Sequence, residues 1–186
     1  TSFAIIIPTS ISSVLTHKKH KSVDINIIKN YGIFVIIGVL IGTFFAAIMK
    51  TRALLLFFSL IVYFLGTYLL LLQNKTKKIK PNFSFYPRII FGFISGFISA
   101  PMGIGGAIMN VPVLRYFGYP INKAIGSAAA IGFIIALFGS IGFITTGSYL
   151  NVNLPLSVGF IDIPAFLIFI PITTFMARVG ANTVHK

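Results

Sequence analysis

Uncharged apolar blocks, each long enough to cross a lipid bilayer, recur along this chain and leave it few ways to fold. A helix needs about 20 mostly apolar residues to cross a hydrocarbon core of ~30 Å. The run from Ala53 to Gln73 meets that length without a single charge. Charged residues make up 9% of the chain, against about 25% in an ordinary soluble domain. The mean hydropathy of +0.98 sustained over 186 residues is that of a protein dissolved in lipid. The expected fold is an all-α integral membrane protein, with the lipid bilayer as its main partner. The formal charge of +13 does not make it a nucleic-acid binder. The basic residues sit in short gaps between apolar blocks, where they set topology and meet lipid headgroups, and base readout needs a solvated basic face. With no cysteine, disulfide, thiolate and zinc–thiolate chemistry is excluded.

Along the chain the blocks run from Thr1 to Thr16, Tyr31 to Met49, Ala53 to Gln73, Arg88 to Phe117, Ile121 to Thr146 and Pro155 to Met176. A basic segment fills 17–30, Lys50 to Arg52 is a tight turn, and a charged, Pro-containing linker follows the third block. An uncharged loop, GSYLNVNL, lies between the last two blocks. Gly38 and Gly42 form a GxxxG that lets two helices approach closely. The chain opens on Thr1 inside an apolar run and closes directly after another. It is expected to be a fragment cut at both ends, without a signal peptide.

The fourth block breaks the pattern. As one helix its 30 residues would reach ~45 Å, too long for the core. Its centre reads APMGIGGA, residues 100–107. Pro101 removes a helical hydrogen bond, and Gly103, Gly105 and Gly106 are poor helix formers. Two half-helices of ~18–20 Å meeting at a Gly-rich tip are expected, in a place covered by protein or lining a wet cavity. The expected architecture is thus about five transmembrane helices plus a Gly-rich broken helical hairpin.

The chain also repeats itself. SVDINIIKNYG at 22–32 parallels GFIDIPAF at 159–166, setting Asp24 against Asp162, the only two acids. Upstream, Thr1-Ser2 parallels Gly126-Ser127. The implied division is 1–73 for the end of a first repeat, 74–87 for a basic cytoplasmic linker, and 88–186 for a second repeat lacking its last helix. Positive charge decides between two threadings. If the fourth block enters and leaves on one side, every Lys and Arg except Lys50 and Arg52 falls inside, a split of 13 to 2 among 15. If it crosses, the split is 9 to 6. The positive-inside rule favours the hairpin, and the two repeats then become inverted, as in many transporters.

The run GFISGFISAPMGIGGAIMNVPVLRYFGYPINKAIGSAAAIGF at 92–133 resembles the second-repeat signature of the TauE/SafE sulfite-exporter family, also called the toluene-sulfonate uptake permease family. That signature has a Gly-rich turn, then Val-Pro-x-Leu, then Gly-Thr-Ser on the next helix. Here these are Gly103 to Gly106, Val111-Pro112-Val113-Leu114 and Gly126-Ser127-Ala128. TSFAIIIPTSISSVLTHKKHKSVD resembles the first repeat from its Gly-Thr-Ser onward. The chain departs at Ala107, at Ser127-Ala128, and in lacking the first broken segment and the final helix. The resemblance implies secondary or passive transport of a small anion such as sulfite, a sulfonate or a related organosulfur acid. It implies a multi-pass protein of the cell membrane, a bacterial inner membrane, with no cofactor. The alternative is a non-transporting remnant or a membrane-assembly subunit.

The Gly-rich tip is the first candidate site. Half-helix Ala107 to Phe117 begins there, so its free N–H groups and positive dipole end can face an anion. The plainer reading is close packing through small residues. Asn110 adds a donor or satisfies the broken backbone. Ser2, Thr9, Ser10, Ser12, Ser13, Ser127 and Ser140 are hydroxyls that either line an oxyanion path or bond back to their own helix. The candidate substrate-binding set is Gly103, Gly105, Gly106, Asn110, Ser127, Ser2, Thr9 and Ser10. Asp24 and Asp162 are expected to be helix caps at membrane edges. His17, His20 and His185 lie in polar flanks without metal spacing, so no metal is expected. Without Cys or Glu, and with neither Asp placed beside a His, no enzymatic inventory exists.

Overall fold

The structure, a computed structural model, describes residues 1–72, 85–150 and 156–184. Those residues form α1 (Ser2–Lys19), α2 (Ile25–Ile48), α3 (Thr51–Leu72), α4 (Phe85–Met102), α5 (Ala107–Tyr116) and α6 (Ile121–Tyr149). A two-stranded ribbon, β1 (Ser157–Val158) against β2 (Ile161–Asp162), leads into α7 (Ile163–Thr183). The helical class expected from the sequence holds. Among the described residues three helices, α2, α6 and α7, are long and apolar enough to cross a membrane. α1 falls short because its last turn carries His17, Lys18 and Lys19, and α3 carries a described apolar stretch over Thr51–Thr67.

Helix boundaries depart from the hydropathy blocks where caps override them. The basic segment 17–30 is mostly helical. α1 runs on to Lys19, and α2 starts at Ile25 because Asp24 caps it, Oδ1 accepting from the N–H groups of Asn26 at 3.0 Å and Ile27 at 3.5 Å. Asp162 does the same for α7, accepting from Ala165 N–H at 2.9 Å. Both acids are therefore caps, as expected. α7 begins eight residues after Pro155, since the ribbon precedes it, and Pro164 sits harmlessly in its first turn. α4 begins at Phe85, inside the expected linker. Residues 73–84, residues 151–154 of the uncharged loop with Pro155, and His185 and Lys186 lie outside the described residues.

Glycines decide how the helices meet. A Cβ at Gly38 would strike Phe93 O, one at Gly96 would strike Val35 O, and one at Gly42 would lie 2.6 Å from Phe97 O. α2 and α4 therefore touch backbone to backbone, as the GxxxG predicts, and no other residue fits at these crossings. They run in the same direction, with Tyr31 beside Phe91 and Gly42 beside Ala100. α6 runs the same way on the other flank of α2, from Ser127 beside Asp24 to Gly142 beside Thr43. α1 runs oppositely along α6, with Phe3 against Phe143 and Ser22 against Gly126. α7 follows α1, joined through Thr9 to Thr173 at 3.1 Å and through Ser12 to Thr174 O at 3.2 Å. The core holds Phe3, Tyr31, Val35, Val39, Leu114, Ile131 and Ile135. α3 has no buried residue among its described side chains.

The fourth block is a hairpin. α5 returns along α4, with Asn110 level with Ser95 and the Phe117 ring 5.7 Å from that of Phe91. Both roots lie at the end of the bundle where α2 and α6 begin. The halves are unequal: α4 has 18 residues and α5 has 10, about 27 Å and 15 Å. Pro101 does not break the helix; it is carried in the last turn of α4. The break falls at Gly103, whose φ of +61° is a left-handed cap. Its N–H reaches Ala100 O and that of Ile104 reaches Ser99 O, a pairing that ends a helix cleanly.

Candidate functional site

The tip Gly103-Ile104-Gly105-Gly106 lodges between α1 and α6. Gly103 faces Ser2, Gly105 faces Ile6, and Gly106 lies against Gly132 and Ile135 near the middle of α6. The three glycines have different reasons to be glycine. Gly103 needs its positive φ. A Cβ at Gly106 would lie 2.6 Å from both Asn110 Nδ2 and Ile135 Cδ1, so packing forbids one. A Cβ at Gly105 would meet only Ile6, at 3.5 Å, which is ordinary contact. Packing therefore leaves Gly105 unexplained.

α5 starts at Gly106 with no side-chain cap. Its first turn thus presents backbone N–H groups, and the positive end of its dipole, at mid-height of the bundle. Ala107 and Ile108 of that turn are exposed. Such a helix start is a ready anion site.

Asn110 is fully buried, and both ends of its amide are bonded to neighbours. Its Nδ2 donates to Gly106 O at 2.6 Å. Its Oδ1 accepts from Tyr31 Oη at 2.7 Å and from Ser95 Oγ at 2.9 Å. One amide thereby ties α2, α4 and α5 together and satisfies the broken backbone, the second of the two roles open to it in the sequence. Sequence reasoning missed Tyr31 and Ser95, the other members of this network.

The expected hydroxyls separate. Ser2 is exposed beside Gly103. Thr9 bonds back to Ile5 O at 2.8 Å and across to Thr173. Ser10 bonds back to Ile6 O at 2.6 Å, the plain structural role. Ser12 receives Arg178 Nε at 3.0 Å. Ser140 is buried with its Oγ unpartnered among the described residues. Ser127 is fully buried, and its Oγ accepts the N–H of Asp24 at 3.1 Å. Thr1 Oγ1 accepts the N–H of Asp162 at 2.9 Å. Each cap's backbone is thus held by a hydroxyl from the opposite half of the chain, and Thr1 rather than Ser2 plays the part of Ser127. The structure brings Gly103, Gly105 and Ser2 together; it sets Asn110 behind them in the core, Ser127 beside Asp24 where α2 begins, Thr9 against α7, and Ser10 back onto its own helix. His17 is buried rather than in a polar flank, and no cluster of metal-ligating side chains occurs among the described residues.

Comparison with known proteins finds relatives along the whole chain. The family model described as "Sulfite exporter TauE/SafE" matches residues 1–186. A "Probable membrane transporter protein" of Haemophilus influenzae is 30% identical over 188 residues, covering all of this chain and 70% of that protein. A protein of Methanocaldococcus jannaschii, also named a probable membrane transporter protein, is 26% identical over 195 residues, covering all of this chain and 69% of that protein. No solved structure matches.

Proposed function

This chain belongs to the sulfite exporter TauE/SafE family of membrane transporters, and from that premise we propose that it moves a small anion such as sulfite, a sulfonate or a related organosulfur acid. The observation that carries the reading is the uncapped start of α5 at Gly106, aimed beside Ser2 and Gly103 at mid-height of α6. Backbone N–H groups take the charge there. The Arg and Lys side chains of the hairpin and its neighbours sit near helix ends. No phosphate-binding loop for ATP is present, so movement is secondary or passive.

The reading assigns five spans, α1, α2, α3, α6 and α7, in two inverted repeats, 1–73 and 88–186, flanking the re-entrant α4–α5 hairpin. The end where α2, α4 and α6 begin is cytoplasmic, on the 13 to 2 charge split, in a bacterial inner membrane. Single cysteines at Lys19 and Ser148 should then label from opposite faces of the membrane. Labelling from one face would remove the inverted arrangement.

Gly105 tests the site itself. Gly105→Ala meets only ordinary contacts, so expression and thermal stability should hold. Flux of sulfite into proteoliposomes should fall by tenfold or more, because a methyl group keeps the anion from the N–H groups. A loss of ~1.4 kcal/mol of binding corresponds to a factor of about ten. Wild-type flux in this variant would leave the glycine without a ligand role. A second reading, a non-transporting assembly piece, is favoured by one observation: none of the apolar window of α7 is buried. Absence of saturable flux from the wild-type chain would decide for it.

A further inference from the structure

A second polar feature lies at the opposite end of the hairpin from its tip. Where α2, α4 and α6 begin, a cleft of about 290 Å³ opens. Asn26 and Asn30 line it from the first turns of α2, Arg88 from the first turn of α4, and Lys123 from the first turn of α6. Tyr119, in the α5–α6 connection, and Asp24 complete the polar wall. From Arg88 to the end of α4 the helix climbs ~20 Å, so this cleft is separate from the tip.

Its chemistry is one-sided. One carboxylate faces two cations, and that carboxylate is already held by the N–H groups of Asn26 and Ile27. The other acid of the chain, Asp162, lies at the far end of the bundle. Burial and then the neighbouring Asp24 push the Tyr119 hydroxyl above its ordinary value near 10, with Arg88 pulling the other way. The phenol therefore stays a proton donor at neutral pH. A guanidinium, an ammonium, a phenol and two carboxamides thus line one cleft against a single carboxylate. Arg offers a planar fork that matches two oxygens of one oxyanion. Asn26 and Asn30, four residues apart, share one face of α2.

We propose that this cleft binds a small tetrahedral or pyramidal oxyanion, a sulfite, sulfonate or phosphate group, between Arg88 and Lys123. Bound there, the anion links the root of α4 to the root of α6. A cationic mouth also raises the local concentration of anion. Calling that anion the transported substrate rests on the reading above; binding itself does not. A free oxyanion and the phosphate of a lipid headgroup share this chemistry.

The full chain in nanodiscs of neutral phosphatidylcholine is titrated calorimetrically with sodium sulfite at constant ionic strength. Saturable binding is expected, weakened about tenfold by Lys123→Gln and by Arg88→Gln, the loss of one charge-assisted contact. Lys50→Gln, at the other end of the bundle, should bind as wild type, and helical circular dichroism controls for folding. In a second arm, nanodiscs carry phosphatidic acid. Sulfite competition there that depends on the same two residues supports the site and names the headgroup as its occupant. In the Gly105→Ala background, which removes the contribution of the tip, the remaining sulfite binding should still be weakened about tenfold by Lys123→Gln and by Arg88→Gln, so the tip and the cleft fail separately. No saturable binding in either arm, or equal weakening in Lys50→Gln, overturns the proposal.

Discussion

α2 and α7 start alike and end in different surroundings. Each follows an Asp that caps it, and each cap's N–H is held by a hydroxyl from the other half of the chain. Yet 44% of the apolar window of α2 is buried and none of that of α7. The difference lies in what stands beside them. α2 has the α4–α5 hairpin against it, backbone to backbone; α7 touches α1 and leaves its outer face open. Capping is local chemistry, set within three or four residues. Burial depends on a partner, and a helix's own sequence does not supply one.

The sharpest break of this comparison uses two glycines at the same place in the proposed repeat. Asp24 corresponds to Asp162, and the same offset takes Gly42 to Gly180. A Cβ at Gly42 would lie 2.6 Å from Phe97 O and 2.8 Å from Ala100 Cβ, whereas nothing lies within 4 Å of one at Gly180. Gly42→Leu should cost roughly 4 kcal/mol or more, or prevent folding, because two backbones must part. Gly180→Leu should be neutral or gain up to ~1 kcal/mol of helix propensity. Unfolding in mixed micelles, followed by circular dichroism, measures both. Equal costs would mean that α7 is packed in the membrane as tightly as α2.

Asn110 fastens α2 to the hairpin from a fully buried position, whereas α7 is fastened to α1 through the part-buried bonds of Thr173, Thr174 and Arg178. Asn110→Ala leaves Ser95 Oγ and Gly106 O without their side-chain partner and should cost on the order of 3 kcal/mol. Ser95 Oγ donates to Asn110 Oδ1, so adding Ser95→Ala to that variant should cost almost nothing further. The coupling between the two is then ~1 kcal/mol. Full additivity in the same unfolding assay would dissolve the network.

These residues mark how far the sequence could be read. The caps at Asp24 and Asp162, the GxxxG at Gly38 and Gly42, and the break at 103–106 were legible, since each follows from a few adjacent residues. The partners of Asn110 were not: Tyr31 is 79 positions away, and nothing local points to it. The ribbon at 157–162 was hidden because a Leu-to-Asp stretch within an apolar block reads as helix. The near-end cleft had one readable signal, Asn26 and Asn30 on one helical face, which becomes informative only when Arg88 and Lys123 arrive from other elements. Within the tip, the sequence could not tell that packing excuses Gly106 and leaves Gly105 open.

The smallest effect isolates burial at fixed chemistry. Ser127 Oγ and Thr1 Oγ1 each accept one N–H from a capping Asp, at 3.1 Å and 2.9 Å. Length therefore favours neither bond. Ser127 is fully buried, while the Thr1 bond to Asp162 is exposed. Removing the first hydroxyl strands a donor where water has little access, and removing the second hands a donor to solvent. Ser127→Ala should cost about 1–2 kcal/mol and Thr1→Ala about 0.3 kcal/mol, the gap being the desolvation of an unmade bond. Hydrogen exchange at the two amides gives the same contrast locally: Asp24 N–H should lose protection in its variant, and Asp162 N–H should start with little to lose. If the two substitutions cost the same, the open side of α7 is shielded at the start of that helix, and the difference between the two halves begins further along it, at Thr173 and beyond.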